Sequence, residues 1–348
     1  MTDLWNYLKE TDKPIVLYGT GNGADKIIAR LQADGTWDKV QGIFASPGFV
    51  RNRSFYGFKV ESYEAIRERL GDMIILLCFG SSLKEVTDFV YRIMNDGGNE
   101  LYAPAVPVYG DGVFDIKYYE AHRKEIDEAR GLMADELSLK TFDNTVMYYL
   151  TGDIRLLAEC EVSTADVHDL LSPPTGSLYL DLGAYNGDTV NEFMSYHPGI
   201  SEVIAVEPDI KNYRKLCENT AVLSNVTSVN ALISDTSGVT HINMGKGRGV
   251  HEQSEGFGVR TATVDEIIGS RRCGIIKYDV EGNERKALLG SSATLSGCAP
   301  SLLVACYHRS CDIYDLPLLI RSLQSSYNIY LRHRPHLLNW DTDIIAKM

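Results

Sequence analysis

The sequence predicts an α/β protein made of two doubly wound units joined by a helical segment. Three observations carry this reading. Short apolar runs alternate with amphipathic stretches in both halves, which is the signature of parallel strands with helical crossovers. Between the halves the period changes to three and four residues from Phe114 to about Leu171, a helix-only pattern. The turn-rich SPPTGS at 172–177 then separates that segment from a second strand–helix series.

In order, the first half reads as PIVLYGT (strand), GADKIIARLQADG (helix), VQGIF (strand), SYEAIRERLG (helix), MIILLCFG (strand) and LKEVTDFVYRIM (helix). This defines a smaller Rossmann-like domain over residues 1–110, followed by a helical linker at 111–172. The second half, 173–348, runs through SLYLDLG, EVIAVEP, VTSVNALISD, CGIIKYD, SLLVACYH and two closing strands with no helix between them. A seven-stranded doubly wound sheet ending in an antiparallel hairpin is expected there.

Composition narrows the function. The 348 residues suffice for two cores, and a formal charge of −13 opposes bulk binding to nucleic acid or anionic membrane. The longest apolar run, Met73 to Phe79, is far short of the roughly 20 residues that span a bilayer. The polar amino terminus lacks a secretory core, and seven cysteines without CxxC pairs fit a reducing compartment, so a cytoplasmic protein is expected. Oligomeric state is not legible.

The chemistry concentrates in YLDLGAYNGDTV, 179–190. In an open parallel sheet the turn after the first strand is the usual ligand cradle. Here it holds Gly183, Ala184, Tyr185, Asn186 and Gly187, and Tyr185 stands where a pyrophosphate-binding turn needs its second glycine. A dinucleotide is thereby disfavoured. S-adenosylmethionine fits better, because its amino-acid tail needs less clearance and offers a carboxylate to backbone N–H groups. Asp181 suits the ammonium of that tail, and Glu207, followed by Pro208, is placed to accept the ribose hydroxyls. Asn230 and Ala231 lie where an adenine edge should be. Each feature also has a bland reading as a turn glycine, a solvated strand-end acid or an Asx turn.

In IIKYDVEGNER, Asp279, Glu281 and Glu284 follow a strand whose end should face the reacting group. Lys277 shares a face with Asp279 by strand alternation and needs a carboxylate partner in so apolar a strand. Asp279 or Glu281 is expected to act as base or substrate orienter, although Glu284 could equally favour the positive end of the next helix. The three oxygens could bind Mg²⁺, but the spacing does not require it, and no metal is expected. His308 is a second candidate base, whereas His333 and His336 read as surface residues. The glycine-rich insert 244–258 could form a lid bearing His251 or a hairpin tip.

The second half resembles the FkbM-type S-adenosylmethionine-dependent methyltransferases. The resemblance rests on YLDLGAYNGDTV, AVEPD, VNALISD, TATVDEI, IIKYDVEGNERKALLG and LPLLIRSL with YNIYLRH, and covers residues 177–348. IKYDVEGNE is its most specific part, and DELSLKTFDNTVMYYLTGD resembles the extension of two-domain members. It implies a class I methyltransferase fold in which Gly183 to Gly187 hold the methionine part, Glu207 the ribose, and Asp279 closes the methyl-donor side. The implied activity is O-methylation of a hydroxyl on a sugar, glycan or other small molecule. Cys306 and Tyr307 depart from the acid that such proteins often carry before the histidine, which leaves the role of His308 open.

The first half contains Gly19, Gly21 and Ala24 in a GxGxxA arrangement. The acid expected after the next strand is missing, since Ala45 and Ser46 stand there, while Arg51 and Arg53 could meet a 2′-phosphate. The alternative reading is therefore a nucleotide- or NADP-binding module or reductase with a catalytically silent second domain.

Overall fold

The computed structural model describes residues 2–50, 53–110, 112–244, 250–253 and 257–348. The first half contains α1 (Leu4–Glu10), β1 (Ile15–Tyr18), α2 (Asn22–Ala33), β2 (Val40–Phe44), β3 (Ser54–Phe55) and β4 (Phe58–Glu61). It continues with α3 (Tyr63–Leu70), β5 (Ile74–Leu77), α4 (Lys84–Asn95) and β6 (Glu100–Tyr102). These strands form one sheet in the order β3-β4-β2-β1-β5-β6, parallel except for the β3–β4 hairpin. The central strands β1 and β5 are buried throughout, as expected for strands covered by helices on both faces. Three elements escaped the sequence pattern: α1, the hairpin and β6. The hairpin is two residues to a side around Tyr56 and Gly57, too short to show alternation.

The middle segment folds as α5 (Ile116–Ala121), α6 (Arg123–Arg130), α7 (Glu136–Thr151), α8 (Arg155–Ala158) and α9 (Thr164–Leu171). Asp135 caps α7 by accepting the Ser138 N–H at 2.7 Å, and Arg332 of the second sheet donates to the same carboxylate at 2.6 Å. Ser163 and Asp166 form a reciprocal capping box on α9.

The second half begins with β7 (Leu178–Leu182), α10 (Asp188–Tyr196), β8 (Glu202–Val206), α11 (Ile210–Thr220) and β9 (Val226–Val229). A side sheet follows, made of β10 (Leu232–Ile233), β11 (Gly238–Met244), β12 (Val250–Gln253) and β13 (Phe257–Ala262). The chain then returns through α12 (Val264–Ile268), β14 (Cys273–Tyr278), α13 (Glu284–Leu289), α14 (Ser292–Cys298), β15 (Ser301–Ala305) and α15 (Asp312–Leu323). It closes with β16 (Asn328–His333) and β17 (Thr342–Lys347). The main sheet has seven strands in the order β16-β17-β15-β14-β7-β8-β9, with β17 antiparallel to both its neighbours.

VTSVNALISD divides between two sheets where a single strand was expected. The Asn230 amide donates to the carbonyls of Glu207 at 2.8 Å and Pro208 at 3.0 Å, long-range bonds to the turn after β8 at the point where β9 ends and the chain turns into β10. Of the insert bearing His251, residues 245–249 and 254–256 and the intervening side chains lie outside the described residues, as does Arg51.

One apolar core runs through both halves. It includes Tyr18, Phe44 and Leu77 of the first sheet, Phe142 and Tyr148 of the helices, and Leu180, Ile276 and Val304 of the second sheet. Main-chain bonds stitch the same boundary, from Ala103 N–H to the Gly152 carbonyl at 2.8 Å and from Leu337 N–H to Ser81 at 3.1 Å. Among the described residues no helix is long and apolar enough to cross a membrane.

Candidate functional site

A cavity of about 290 Å³ opens at the carboxyl ends of β7, β8 and β14, close to the lower end of the range for small-molecule sites. The position follows from topology. The strand order reverses at β7, which lies between β14 and β8, and at such a switch point the connecting turns part and leave a crevice. Gly183 and Tyr185 line it from the first turn, Glu207 and Pro208 from the second, and Asp279, Val280 and Glu281 from the turn after β14.

The first turn is shaped by backbone that side chains rarely adopt. Gly183 has φ +83°, Tyr185 +46° and Gly187 +89°. A Cβ on Gly183 would lie 1.8 Å from the Asp279 carbonyl oxygen, so the two turns approach as closely as only glycine permits. Ala184 is fully buried beneath the turn, Asn186 is half-buried, and Gly187 starts α10 behind it; these three do not face the cavity.

Glu207 is 6% exposed, and its two oxygens accept the N–H groups of Tyr185 at 3.0 Å and Asp209 at 2.9 Å. Burial raises its carboxyl to about 7, and the two N–H donors offset only part of the effect. Ala231 lines the cavity with Leu232 and Ile233, whereas the Asn230 side chain holds the Glu207–Pro208 backbone in place.

Beneath the cavity lies a charged chain. Asp181 is fully buried, accepts from the Thr189 hydroxyl at 2.5 Å, and sits 3.4 Å from the Lys277 ammonium. The same ammonium is 3.4 Å from Asp279. Burial works against the charge on Lys277, but Asp181 and then Asp279 overcome it and raise its pKa. Asp279 is lowered in turn: burial opposes the shift, and Lys277 and His308 outweigh it. Lys277 therefore has the carboxylate partners its apolar strand demanded. Asp181 reaches Lys277 and Thr189 and is absent from the cavity wall.

His308 joins these acids from the end of β15 and is 2% exposed. Its Nδ1 lies 3.0 Å from Glu284, and its Nε2 lies 3.5 Å from Asp279 and 3.6 Å from Glu281. Burial opposes its charge, yet Glu284, Asp279 and Glu281 together raise it to about 10. Glu284, at the start of α13, turns inward to accept the N–H groups of Val280 at 2.8 Å and Gly282 at 3.3 Å. His333 is a correction to the sequence reading, being fully buried with Nδ1 2.9 Å from the Thr342 hydroxyl. Its strand borders the sheet edge, but the 161–162 segment covers it, and Val162 N–H donates to the His333 carbonyl at 2.9 Å. His336 is half-buried and stacks on Trp340.

Several cavity residues were invisible in the sequence. Tyr307 lines the wall with its hydroxyl 3.4 Å from Asp279, and Asp341 arrives from the β16–β17 connection, held at 3.0 Å by Arg334. Tyr109 reaches the same turn from the segment after the first domain. Its ring packs over Gly282, the Arg309 guanidinium stacks on it at 4.2 Å, and its N–H donates to the His308 carbonyl at 2.8 Å. No local pattern marks these three, because each is brought in by long-range packing.

In the first domain the GxGxxA turn is closely packed. A Cβ on Gly23 would lie 2.2 Å from the Cys78 carbonyl oxygen, one on Gly19 would strike the Phe79 ring, and Arg53 bonds the Thr20 hydroxyl.

Residues 181–327 match the methyltransferase FkbM domain. The whole chain superposes on a crystal structure of methyltransferase FkbM from Methylobacillus flagellatus KT, with a TM-score of 0.73 and 18% identity over 96% of this chain and 90% of that one. At that identity the match establishes the fold alone: a mixed α/β chain with a seven-stranded and a six-stranded sheet. Precorrin-6y C5,15-methyltransferase from Geobacter metallireducens GS-15 overlaps 53% of this chain and 86% of its own at a TM-score of 0.36 and 11% identity. Aeropyrum pernix fibrillarin, bound to S-adenosyl-L-methionine, overlaps 53% and 72% at 0.35 and 15%. Likeness at those scores says nothing further about this chain. No curated protein matches it by sequence.

Proposed function

We propose that this chain, whose residues 181–327 match the methyltransferase FkbM domain, carries out S-adenosylmethionine-dependent O-methylation of a hydroxyl on a sugar, glycan or other small molecule. One observation carries this: a single cavity has a buried carboxylate, Glu207, on one strand end and the Asp279–Glu281 pair on another, joined by the Gly183 turn. The residues fit the cofactor. Glu207 can accept two ribose hydroxyls, Leu232 and Ile233 offer apolar wall to a base, and Gly183 and Tyr185 bring the first turn to the cavity wall, within reach of the amino-acid tail. When bound, the cofactor supplies an electrophilic methyl group on a sulfonium.

The protein's part is alignment and proton management. A hydroxyl seated between Asp279 and Tyr307 would meet a carboxylate held ionised by Lys277 and His308. Placing the acceptor oxygen in line supplies much of the acceleration of a displacement, and a nearby carboxylate receives its proton. The partly exposed Glu281 is the second acceptor for that proton. Tyr307 and Asp341 add an aromatic and an acidic group to the wall, suited to a polyhydroxylated acceptor.

Calorimetry with S-adenosylhomocysteine, followed by a radiolabelled methyl-transfer screen over sugars, nucleotide sugars and glycans, tests the reading. Asp279→Asn is expected to keep nucleoside binding within a few-fold and to lower transfer by roughly a hundredfold or more. Failure of the wild-type chain to bind the nucleoside would refute the proposal.

The pH dependence follows from Glu207. Ribose hydroxyls donate to the ionised carboxylate, so below about 7 binding must first expel a proton. Affinity for S-adenosylhomocysteine should therefore fall as pH drops below 7, by up to about tenfold per unit, and level off above it. Glu207→Gln should bind more weakly and flatten the profile. A flat wild-type profile from pH 5.5 to 8.5 would remove Glu207 from this role.

A further inference from the structure

The sequence offers only oxygen donors after β14, but the fold adds a nitrogen. Asp279, Glu284 and His308 each present one donor atom, and the three atoms lie within 4.8 Å of one another. His308 Nε2 and Asp279 Oδ1 are 3.5 Å apart, too long for a good hydrogen bond, while Glu284 faces the other ring nitrogen at 3.0 Å, so the imidazole must turn to offer one nitrogen to an ion shared by both carboxylates. Two ligands bonded at about 2.1 Å to one ion, at tetrahedral angles, stand about 3.4 Å apart, so this spacing suits a shared cation.

A second observation is independent of that spacing. Glu284 is 1% exposed, and although its Oε1 is occupied by two backbone N–H groups, its Oε2 is buried without a hydrogen-bond partner. Buried carboxylate oxygens are rarely left so, because the desolvation of each unsatisfied group costs on the order of 1–3 kcal/mol. The Asp279 carboxylate is meanwhile held on its other side, since Lys277 approaches Oδ2 at 3.4 Å and leaves Oδ1 towards His308.

We propose that Asp279, Glu284 and His308 form a binding site for one divalent transition-metal ion. The donor set selects its class: an imidazole disfavours Mg²⁺ and Ca²⁺, and the absence of thiolates from the trio disfavours Cu⁺, which leaves Zn²⁺, Mn²⁺ and their neighbours. Of the three ligands, Asp279 lies on the cavity wall, so the coordination position beside it faces the cavity. The catalytic consequence rests on the methyltransferase reading, with His308 deprotonated on ligation and the ion in place of the imidazolium and Asp279 no longer the proton acceptor. An acceptor hydroxyl bound at that position would lose its proton more readily, the proton passing to Glu281, whose Oε2 lies 3.6 Å from His308 Nε2.

The full-length chain, stripped with a chelator, is titrated with Zn²⁺ by calorimetry and with Co²⁺ by visible absorption. One equivalent of Zn²⁺ should bind, and Co²⁺ should develop the intense d–d bands of a low-coordinate N,O site. His308→Ala and Glu284→Gln should each weaken Zn²⁺ binding by tenfold or more, with folding checked by circular dichroism. If either variant does not fold, Asp279→Asn and the wild-type Co²⁺ spectrum decide. An unchanged aqueous Co²⁺ spectrum, or Zn²⁺ affinity unaltered in folded variants, overturns the site. S-adenosylhomocysteine is titrated into the same samples. Nucleoside binding without metal binding rejects the metal site alone, and metal binding without nucleoside binding rejects the functional reading alone.

Discussion

Gly183→Ala is expected to unfold the second half of the protein or leave it several kcal/mol weaker, with nucleoside binding lost. The added Cβ would sit 1.8 Å from the Asp279 carbonyl oxygen and 2.8 Å from its carbon, both backbone atoms that no rotamer change can move. Those atoms are fixed, because Asp279 N–H donates to the Leu182 carbonyl at 3.0 Å and the Gly183 N–H to Val206 at 3.0 Å. Relief requires separating β7 from β14 in the middle of the sheet. Overpacking of this kind costs about 1–3 kcal/mol, and the positive φ of +83° adds about 1–2 kcal/mol for a residue with a side chain. Gly176 is the control. It has a similar φ of +79° but nothing within 4 Å of its would-be Cβ, so Gly176→Ala should show the conformational cost alone. Urea midpoints of the two variants separate the terms, and equal losses would mean that the close approach carries no weight.

Lys277→Met should destabilise the chain by about 3–5 kcal/mol, the usual result of removing one partner from a buried charge pair. The side chain is 9% exposed, and without it Asp181, at 0%, keeps a carboxylate in the sheet interior with the neutral Thr189 hydroxyl at 2.5 Å and no cation in contact. Asp181→Asn in the same background should recover a large part of the loss, because a neutral amide needs no counter-charge. A double-mutant cycle read by denaturant unfolding measures the coupling. Additive losses would show that the two residues stand independently. Methyl transfer should be lost in both single and double variants, since Asp279 also loses the cation 3.4 Å away that keeps it ionised.

Much of this architecture was legible in one dimension. β1, β2, β5, β7, β8, β14 and β15 are apolar runs bounded by turns, and strands buried on both faces must read that way. The terminal hairpin followed from two strands without a crossover. The strand-end acids Glu207, Asp279 and Glu281 were legible for the same reason: a carboxylate just beyond a buried parallel strand can only face the crevice at the sheet's carboxyl edge. What misled was local. Asn230 does stand at a strand end, but its bonds to the backbone of 207 and 208, 23 and 22 positions distant, were not legible. His333 looked like a surface residue because the segment covering it lies over 170 positions earlier.

The sequence by itself determined most strands and helices of the two main sheets and which strand ends carry acids, since each depends on periodicity and turn chemistry within a few residues. Only the tertiary structure decided that Tyr307 and Asp341 share a cavity wall with those acids, and that His308 lies 3.0 Å from Glu284. Such contacts join residues far apart in the chain through packing and charge compensation. Neither leaves a mark on the local pattern.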